Sequence, residues 1–199
     1  MCDAEIEKLI KPNTKAVFAE SLSNPSLAVL DIERIAALAH RNGLPLIVDN
    51  TFPTPVLCRP LAHGADIVTH STTKYMDGHA VQIGGAVVDG GTFDWEKNGY
   101  TCLCQPDESY HGLVYTKAFG AAAYATKLRV QLVRDFGNYP PASAAFLTDL
   151  GLQTLALRME RHSANALAAA KFLQRNDKIA EVCYPGLDGD KYNALAKKY

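Results

Sequence analysis

Apolar positions fall in short continuous runs in the first half of the chain and at helical spacing in much of the second. Ala16-Val-Phe-Ala-Glu20 is a short, largely apolar run followed by the turn formers Ser23-Asn24-Pro25-Ser26, and it predicts a buried strand ending in a loop. Asp31 then stands as the cap of a helix, with Ile32, Ile35, Ala36 and Ala39 at helical spacing and Gly43 as its stop. Leu44-Pro-Leu-Ile-Val48 is apolar on both faces, as a parallel strand covered by helices is, and Asp49 sits at its carboxyl end. The unit repeats more loosely. Pro60-Leu-Ala-His-Gly64 is a short helical or turn segment, Ala65-Asp-Ile-Val-Thr69 a strand, and His70-Ser-Thr-Thr-Lys74 the loop at its carboxyl end. Ile83-Gly-Gly-Ala-Val-Val88 is a further strand, stopped by Asp89-Gly90-Gly91. Strands alternating with helices predict an α/β sheet with right-handed crossovers.

The second half changes character. Residues 92–112 are rich in loop formers, including Gly99, Pro106 and Gly112. An Ala-rich helical pattern runs from about Val114 to Val133, and Pro140-Pro141 breaks it. A second long helical pattern runs from about Ala144 to Leu173, with Arg158, Glu160 and Arg161 among its charges. Ile179-Ala-Glu-Val-Cys-Tyr184 reads as a strand ended by Pro185-Gly186. The Pro140-Pro141 break divides the chain into expected units 1–140 and 141–199.

Composition narrows the class. The 199 residues carry a formal charge of −1, with 48% hydrophobic and 21% charged residues, which excludes a disordered, collagen-like or disulfide-dense chain. A near-neutral balance argues against nucleic acid or an anionic membrane as the main partner, since both call for a basic excess. Charges interrupt every apolar stretch before the ~18 residues a spanning helix needs. The start Met1-Cys2-Asp3-Ala4-Glu5 lacks a basic and then apolar run, and the five cysteines are odd in number and scattered, so reduced thiols and a cytoplasmic location are expected. Cys102 and Cys104 are too close for zinc-knuckle spacing and read as two thiols in a loop. His70, His79 and Asp77 show no metal-ligand spacing either.

In open α/β sheets, ligands bind outside the carboxyl ends of the strands. Those ends offer Asn24, Asp49, Ser71, Thr73 and Lys74: an amide, a carboxylate, two hydroxyls and an amine. A partly desolvated lysine after a buried strand can form a Schiff base with an aldehyde cofactor. Pyridoxal phosphate also calls for a carboxylate against its pyridine nitrogen, which keeps the ring protonated as an electron sink. Asp49 suits that role, and Ser71 and Thr73 can donate to a phosphate. Read alone, the same residues also suit a solvated surface lysine and a turn-forming aspartate. No phosphate-binding P-loop and no G-x-G-x-x-G follows the first strand.

Five segments then occur in order: Glu20-Ser-Leu-Ser-Asn-Pro25, Leu46-Ile-Val-Asp-Asn-Thr-Phe52, His63-Gly-Ala-Asp-Ile-Val68, His70-Ser-Thr-Thr-Lys-Tyr75 and Ile83-Gly-Gly-Ala-Val87. Leu150-Gly-Leu-Gln-Thr-Leu155, Arg158-Met-Glu-Arg-His162 and Tyr184-Pro-Gly-Leu187 continue the series. Together they resemble the Cys/Met-metabolism family of pyridoxal-phosphate enzymes over nearly the whole chain. Within it, Asp49-Asn-Thr-Phe52, Cys58-Arg-Pro60, Asp107-Glu-Ser-Tyr-His-Gly112 and Arg129-Val-Gln-Leu132 are most similar to the O-acetylhomoserine sulfhydrylase branch.

The resemblance implies a fold-type-I, aspartate-aminotransferase-like architecture: an incomplete large cofactor domain leading into the start of a small C-terminal domain. It implies Lys74 as Schiff-base lysine and proton carrier, Asp49 against the pyridine nitrogen, Asn24 near the ring hydroxyl, and Ser71 and Thr73 at the phosphate. The implied reaction is γ-replacement on O-acetyl-L-homoserine by sulfide or a thiol, giving homocysteine or methionine and acetate, in a homo-oligomer built as a dimer of dimers. Cystathionine γ-synthase and β- or γ-lyase chemistry use the same residues. Family members extend further at both ends, with a Gly-rich phosphate loop and a ring-stacking aromatic upstream and a carboxylate-gripping arginine downstream. Ala144 stands where the family often has Asn or Asp. A chain of this extent is expected to be the middle of an enzyme or, alternatively, a non-catalytic assembly or interaction module.

Overall fold

A computed structural model describes residues 2–199. Its centre is a four-stranded sheet in the order β1 (Val17–Glu20), β2 (Leu46–Asp49), β3 (Ile67–Ser71) and β4 (Gly85–Asp89). The helices are α1 (Asp3–Glu7), α2 (Ile32–Arg41), α3 (Thr54–Leu57), α4 (Thr101–Cys104), α5 (Tyr115–Phe119), α6 (Ala123–Lys127), α7 (Arg134–Phe136), α8 (Ala142–Gln153), α9 (Leu155–Gln174) and α10 (Asn193–Lys198). Strands β1, β2 and β3 are parallel, with Glu20 opposite Asp49 and Asp49 opposite Thr69. That register lines up their carboxyl ends.

Two apolar layers sandwich the sheet. On one face α2 buries Ile32, Ile35, Ala36 and Ala39 against Leu46, Val48 and Val68. Each large side chain among them contributes roughly 1.5–3 kcal/mol on leaving water. On the other face Ile67 packs with Trp95, Leu103, Tyr115 and Ala123. A third, smaller cluster of Met76, Leu155 and Met159 joins the segment after β3 to α9. Asp31 occupies the N-cap position of α2, but its carboxylate bonds no amide of that helix. The Tyr199 hydroxyl stands between them, donating to Asp31 Oδ1 and accepting from the Glu33 amide.

Several sequence expectations change. Strand β4 is antiparallel to β3, with Ser71 opposite Gly85. Residues 72–84 form no helix and turn back at the end of the sheet where β3 stops, and such a return needs no crossover. His70 and Ser71 belong to β3 rather than to the loop after it. The Val114–Val133 pattern is broken at Gly120, whose φ of +51° lies outside the helical region, and six residues, Leu128–Val133, wind as a π-helix. The Ala144–Leu173 pattern starts at Ala142 and is interrupted at Thr154. Residues 179–184 form no strand: the pattern is there, but no strand among the described residues lies beside them to complete a ladder. Cys102 and Cys104 lie in α4. All five cysteines are free, and burial pushes the Cys58 thiol up to about 11, leaving it un-ionised near neutrality. Among the described residues, no helix is long and apolar enough to cross a membrane, and no three His, Cys, Asp or Glu side chains cluster as a metal site.

Candidate active site

The aligned carboxyl ends of β1, β2 and β3 open on a cavity of about 220 Å³ lined by Glu20, Leu22, Asn24, Asp49, Thr51, Phe52 and Lys74. Three of the five residues singled out in the sequence therefore converge. Each arrives by a different route. Asn24 sits in the turn after β1, where Ser23 Oγ accepts from the Ala28 amide and the Asn24–Pro25 peptide is cis. Asp49 is the last residue of β2. Its Oδ1 accepts from the Thr51 amide at 2.9 Å, which fixes the carboxylate plane and leaves Oδ2 without a protein donor among the described residues. Lys74 follows β3 in a turn closed by its own amide to the Ser71 carbonyl and by the Gly78 amide to the Lys74 carbonyl. Its amine forms no salt bridge among the described residues.

The two hydroxyl residues stand apart from that cavity. The Thr73 hydroxyl donates to the Gly84 carbonyl at 3.2 Å and accepts from the Gly84 amide at 3.0 Å, so its donor closes the loop between β3 and β4. The Ser71 amide donates to Thr51 Oγ1 at 2.8 Å, and the Ser71 hydroxyl has no protein partner among the described residues. Of the pair, Ser71 keeps a donor free.

The sequence assigns no site role to Ser21, Thr51 or Phe52, and His70 enters there only as a candidate metal ligand. The Ser21 amide donates to the Asp49 carbonyl and the Ser21 hydroxyl lies 3.1 Å from the same oxygen, joining the two strand ends. Phe52 stands edge-on to Tyr75, the residue after Lys74, with ring centroids 6.3 Å apart. Ser21, Thr51 and Phe52 all lie within three residues of a strand end, and that position was the available signal. His70 is buried beside Asp49 with Nδ1 unpartnered among the described residues. Burial lowers its pKa, against a backbone hydrogen bond with Asn50 and the Asp49 charge, which raise it.

A second cavity of about 620 Å³ adjoins the first through Leu22, Asn24 and Phe52. Its walls include Tyr75, Met159, His162 and Tyr184, and they carry no Lys, Arg, Asp or Glu.

The donor set fits pyridoxal phosphate. An amine with no counter-ion and a carboxylate oxygen with no donor among the described residues, and an exposed amide, face one small cavity beside an aromatic ring. These are the groups that an aldehyde, a pyridine nitrogen and a phenolic oxygen require.

Comparison with known proteins agrees with this chemistry. Homocysteine synthase of Schizosaccharomyces pombe is 51% identical over 193 residues, covering 96% of this chain and 45% of the relative. O-acetyl-L-homoserine sulfhydrylase of Leptospira meyeri is 46% identical over 200 residues, with coverages of 96% and 45%. The chain thus spans less than half the length of the curated relatives it matches. The crystal structure of a Campylobacter jejuni chain described as an O-acetylhomoserine (thiol)-lyase, holding N'-pyridoxyl-lysine-5'-monophosphate, superposes with a TM-score of 0.93 at 38% identity. It covers 98% of this chain, which spans 48% of that one. The model of the Cys/Met metabolism PLP-dependent enzymes matches residues 2–199, and the chain belongs to that family.

Proposed function

We propose that the protein serves a pyridoxal-phosphate-dependent γ-replacement, in which O-acetyl-L-homoserine and sulfide, or a thiol, give homocysteine, or methionine from methanethiol, and acetate. The observation that carries this reading is the convergence of the Lys74 amine, the Asp49 carboxylate and the Asn24 amide on one cavity at the strand ends. The homocysteine synthase and sulfhydrylase relatives support carrying the activity to this chain.

When bound, pyridoxal phosphate supplies an electron sink for charge developing at the substrate α-carbon. Asp49 would hold the ring nitrogen protonated through Oδ2, its orientation set by the Thr51 amide on Oδ1. Asn24 would approach the ring hydroxyl oxygen. Ser71 would donate to the phosphate, and Thr73 would do so on giving up its bond to the Gly84 carbonyl. Lys74 would anchor the cofactor and, once released, carry a proton between Cα and Cβ of the amino acid. Over the reaction the Cγ–O bond breaks, acetate leaves with the electron pair, and sulfur forms the new bond to Cγ as it loses its proton. The adjoining uncharged cavity favours a small neutral nucleophile such as hydrogen sulfide over a zwitterionic amino acid.

A homo-oligomer, a dimer of dimers, belongs to the same proposal. Edge strands β1 and β4 expose Phe18, Val87 and Val88, apolar surface of the kind that subunit contacts cover. Five free cysteines support a reducing, cytoplasmic setting.

The test loads the protein with pyridoxal phosphate and compares sulfide, methanethiol and L-cysteine with O-acetyl-L-homoserine as donor. Homocysteine and acetate released in equal amounts is the expected result, with Lys74→Ala inactive. Faster formation of cystathionine, or elimination to 2-oxobutanoate alone, would overturn the sulfhydrylase reading and leave cofactor binding standing. Borohydride labelling of a lysine other than Lys74 would overturn the site.

A further inference from the structure

The segment that carries Lys74 is tied to a distant helix junction by one side chain. Arg158, in the first half of α9, donates from Nη1 to the Tyr75 carbonyl at 2.7 Å, from Nη2 to the Gly151 carbonyl at 2.7 Å and from Nε to Thr154 Oγ1 at 3.1 Å. Tyr75 is the residue after Lys74. Gly151 and Thr154 lie at the interruption between α8 and α9. All three nitrogens of the guanidinium thus meet neutral oxygens, and Arg158 forms no salt bridge among the described residues. A cation placed on two backbone carbonyls makes hydrogen bonds stronger than neutral pairs and fixes the planes it meets.

Three further features converge on the same contact. Gly78 lies against the guanidinium so closely that a Cβ there would fall 2.6 Å from Nη1 and 2.8 Å from Cζ. A Cβ at Gly151 would fall 2.2 Å from the Met76 carbonyl oxygen and 2.4 Å from that of Asp77. Met76, Leu155 and Met159 form an apolar seam beneath the same turn. The turn holds itself in parallel: the Asp77 amide donates to the Thr72 carbonyl, and Asp77 Oδ2 accepts from the amides of His79 and Val81. These local bonds shape residues 72–81. Arg158 adds the charge-assisted tie between that turn and the α8–α9 junction, beside the apolar seam and the Gln82 amide on Thr148 Oγ1.

We propose that Arg158 is the positioning residue for Lys74. It clamps the carbonyl after the lysine to the α8–α9 junction and so sets the reach of the Lys74 amine into the cavity it shares with Asp49. This inference rests on the reading of Lys74 as the cofactor lysine. Lysine at 158 keeps the charge but lacks the planar fork, so it cannot hold the two carbonyls and Thr154 in the same fixed geometry.

The experiment compares the wild-type chain with Arg158→Ala and Arg158→Lys. Pyridoxal phosphate followed by borohydride labels accessible amines, and peptide mapping compares Lys74 with Lys127, Lys171 and Lys191. Backbone hydrogen exchange of the same three proteins follows the Asp77 and Gly78 amides. In Arg158→Ala, losing a charge-assisted tie should raise exchange at those amides about tenfold. Selective labelling of Lys74 should fall by a similar factor, with the other lysines and the amides of β1 and β2 unchanged. Arg158→Lys should lie between. A purely structural role would alter all lysines together.

Lys74 labelling and exchange equal to wild type in a folded Arg158→Ala protein would overturn the proposal. Should Arg158→Ala fail to fold, Arg158→Lys decides: wild-type behaviour overturns the clamp, and a selective loss at Lys74 supports it. If wild-type Lys74 labels no better than the other lysines, the cofactor reading fails. The exchange data then stand alone, faster exchange at Asp77 and Gly78 supporting the clamp and unchanged exchange overturning it.

Discussion

The Ser21 hydroxyl donates to Asn50 Oδ1 at 2.8 Å, joining the residue that leaves β1 to the residue that leaves β2. Asn50 is fully buried, and its amide nitrogen donates to the Thr54 and Cys58 carbonyls at 3.1 and 2.8 Å. One side chain therefore holds together the turn that starts toward Asn24, the end of the strand bearing Asp49, and α3. Replacing it with alanine leaves the Cys58 carbonyl without a donor among the described residues, takes one of two donors from the Thr54 carbonyl, and leaves the Ser21 hydroxyl only its longer contact with the Asp49 carbonyl. The expected loss for Asn50→Ala is about 3 kcal/mol, against about 1 kcal/mol for Ser21→Ala, read from urea unfolding midpoints. Equal, small losses in the two variants would mean that water replaces these bonds and that the strand ends are held otherwise.

Asp49→Asn should cost turnover far more than cofactor affinity. The Asn carbonyl oxygen can still accept the Thr51 amide bond now made to Oδ1, so the local turn survives. What disappears is the charge facing the cavity, and charge-assisted bonds are roughly twice as strong as neutral ones. With the ring nitrogen no longer held protonated, kcat should fall at least about tenfold, while the affinity for pyridoxal phosphate shifts by less than that factor. Turnover near that of the wild type in the variant would remove Asp49 from the proposed chemistry.

Gly151→Ala tests the packing under the Lys74 turn. The added methyl would lie 2.2 Å from one backbone oxygen and 2.4 Å from the next, and backbone cannot rotate aside as a side-chain tip can. Gly151 is also buried. The helix gains propensity from alanine, but by only about 1 kcal/mol. Overpacking against backbone typically costs about 1–3 kcal/mol, so a net loss is expected, visible as a lower thermal midpoint. A stabilised variant would show that α8 can move away from the turn at no cost.

Much of this architecture is legible in the sequence because it rests on local patterns. The spacing of Ile32, Ile35, Ala36 and Ala39 reflects one buried face of α2, and the apolar run at Leu44–Val48 reflects burial on both sides of β2. The strand-end rule reached Asn24, Asp49 and Lys74 for the same reason: parallel strands bring their carboxyl ends to one side. What escaped depends on distant contacts. The direction of β4 leaves no mark on its composition. The interruption at Thr154 coincides with the Gly151 contact on Met76 and Asp77, and nothing in the helical period encodes it. The pattern at Ile179–Tyr184 needs a neighbour to become a strand. The tie between Arg158 and Tyr75 spans 83 positions, so the arginine reads in isolation as one more surface charge. Thr73 is a donor by type, but its hydroxyl is turned to Gly84 by a loop whose closure only the fold reveals.

His70 lies on β3, beside the end of the Asp49 strand, with only 6% of its surface exposed and Nδ1 unpartnered among the described residues. Protonation would place a charge where water is excluded, and burial lowers its pKa below the ordinary 6.5 despite the Asn50 backbone bond and the Asp49 charge. The unfolded chain therefore binds a proton at His70 more readily than the folded one does. Stability from this group is present in full above the unfolded value and drains away as pH falls through the window down to the lowered folded value. Unfolding in urea from about pH 5 to about pH 8 should show stability rising with pH across the lower part of that range. In His70→Asn, a shorter group with no titration there, the slope should flatten even if the overall midpoint drops. An unchanged slope in the variant would assign the pH dependence to other groups and mean that His70 binds its proton equally well in the folded and unfolded chain.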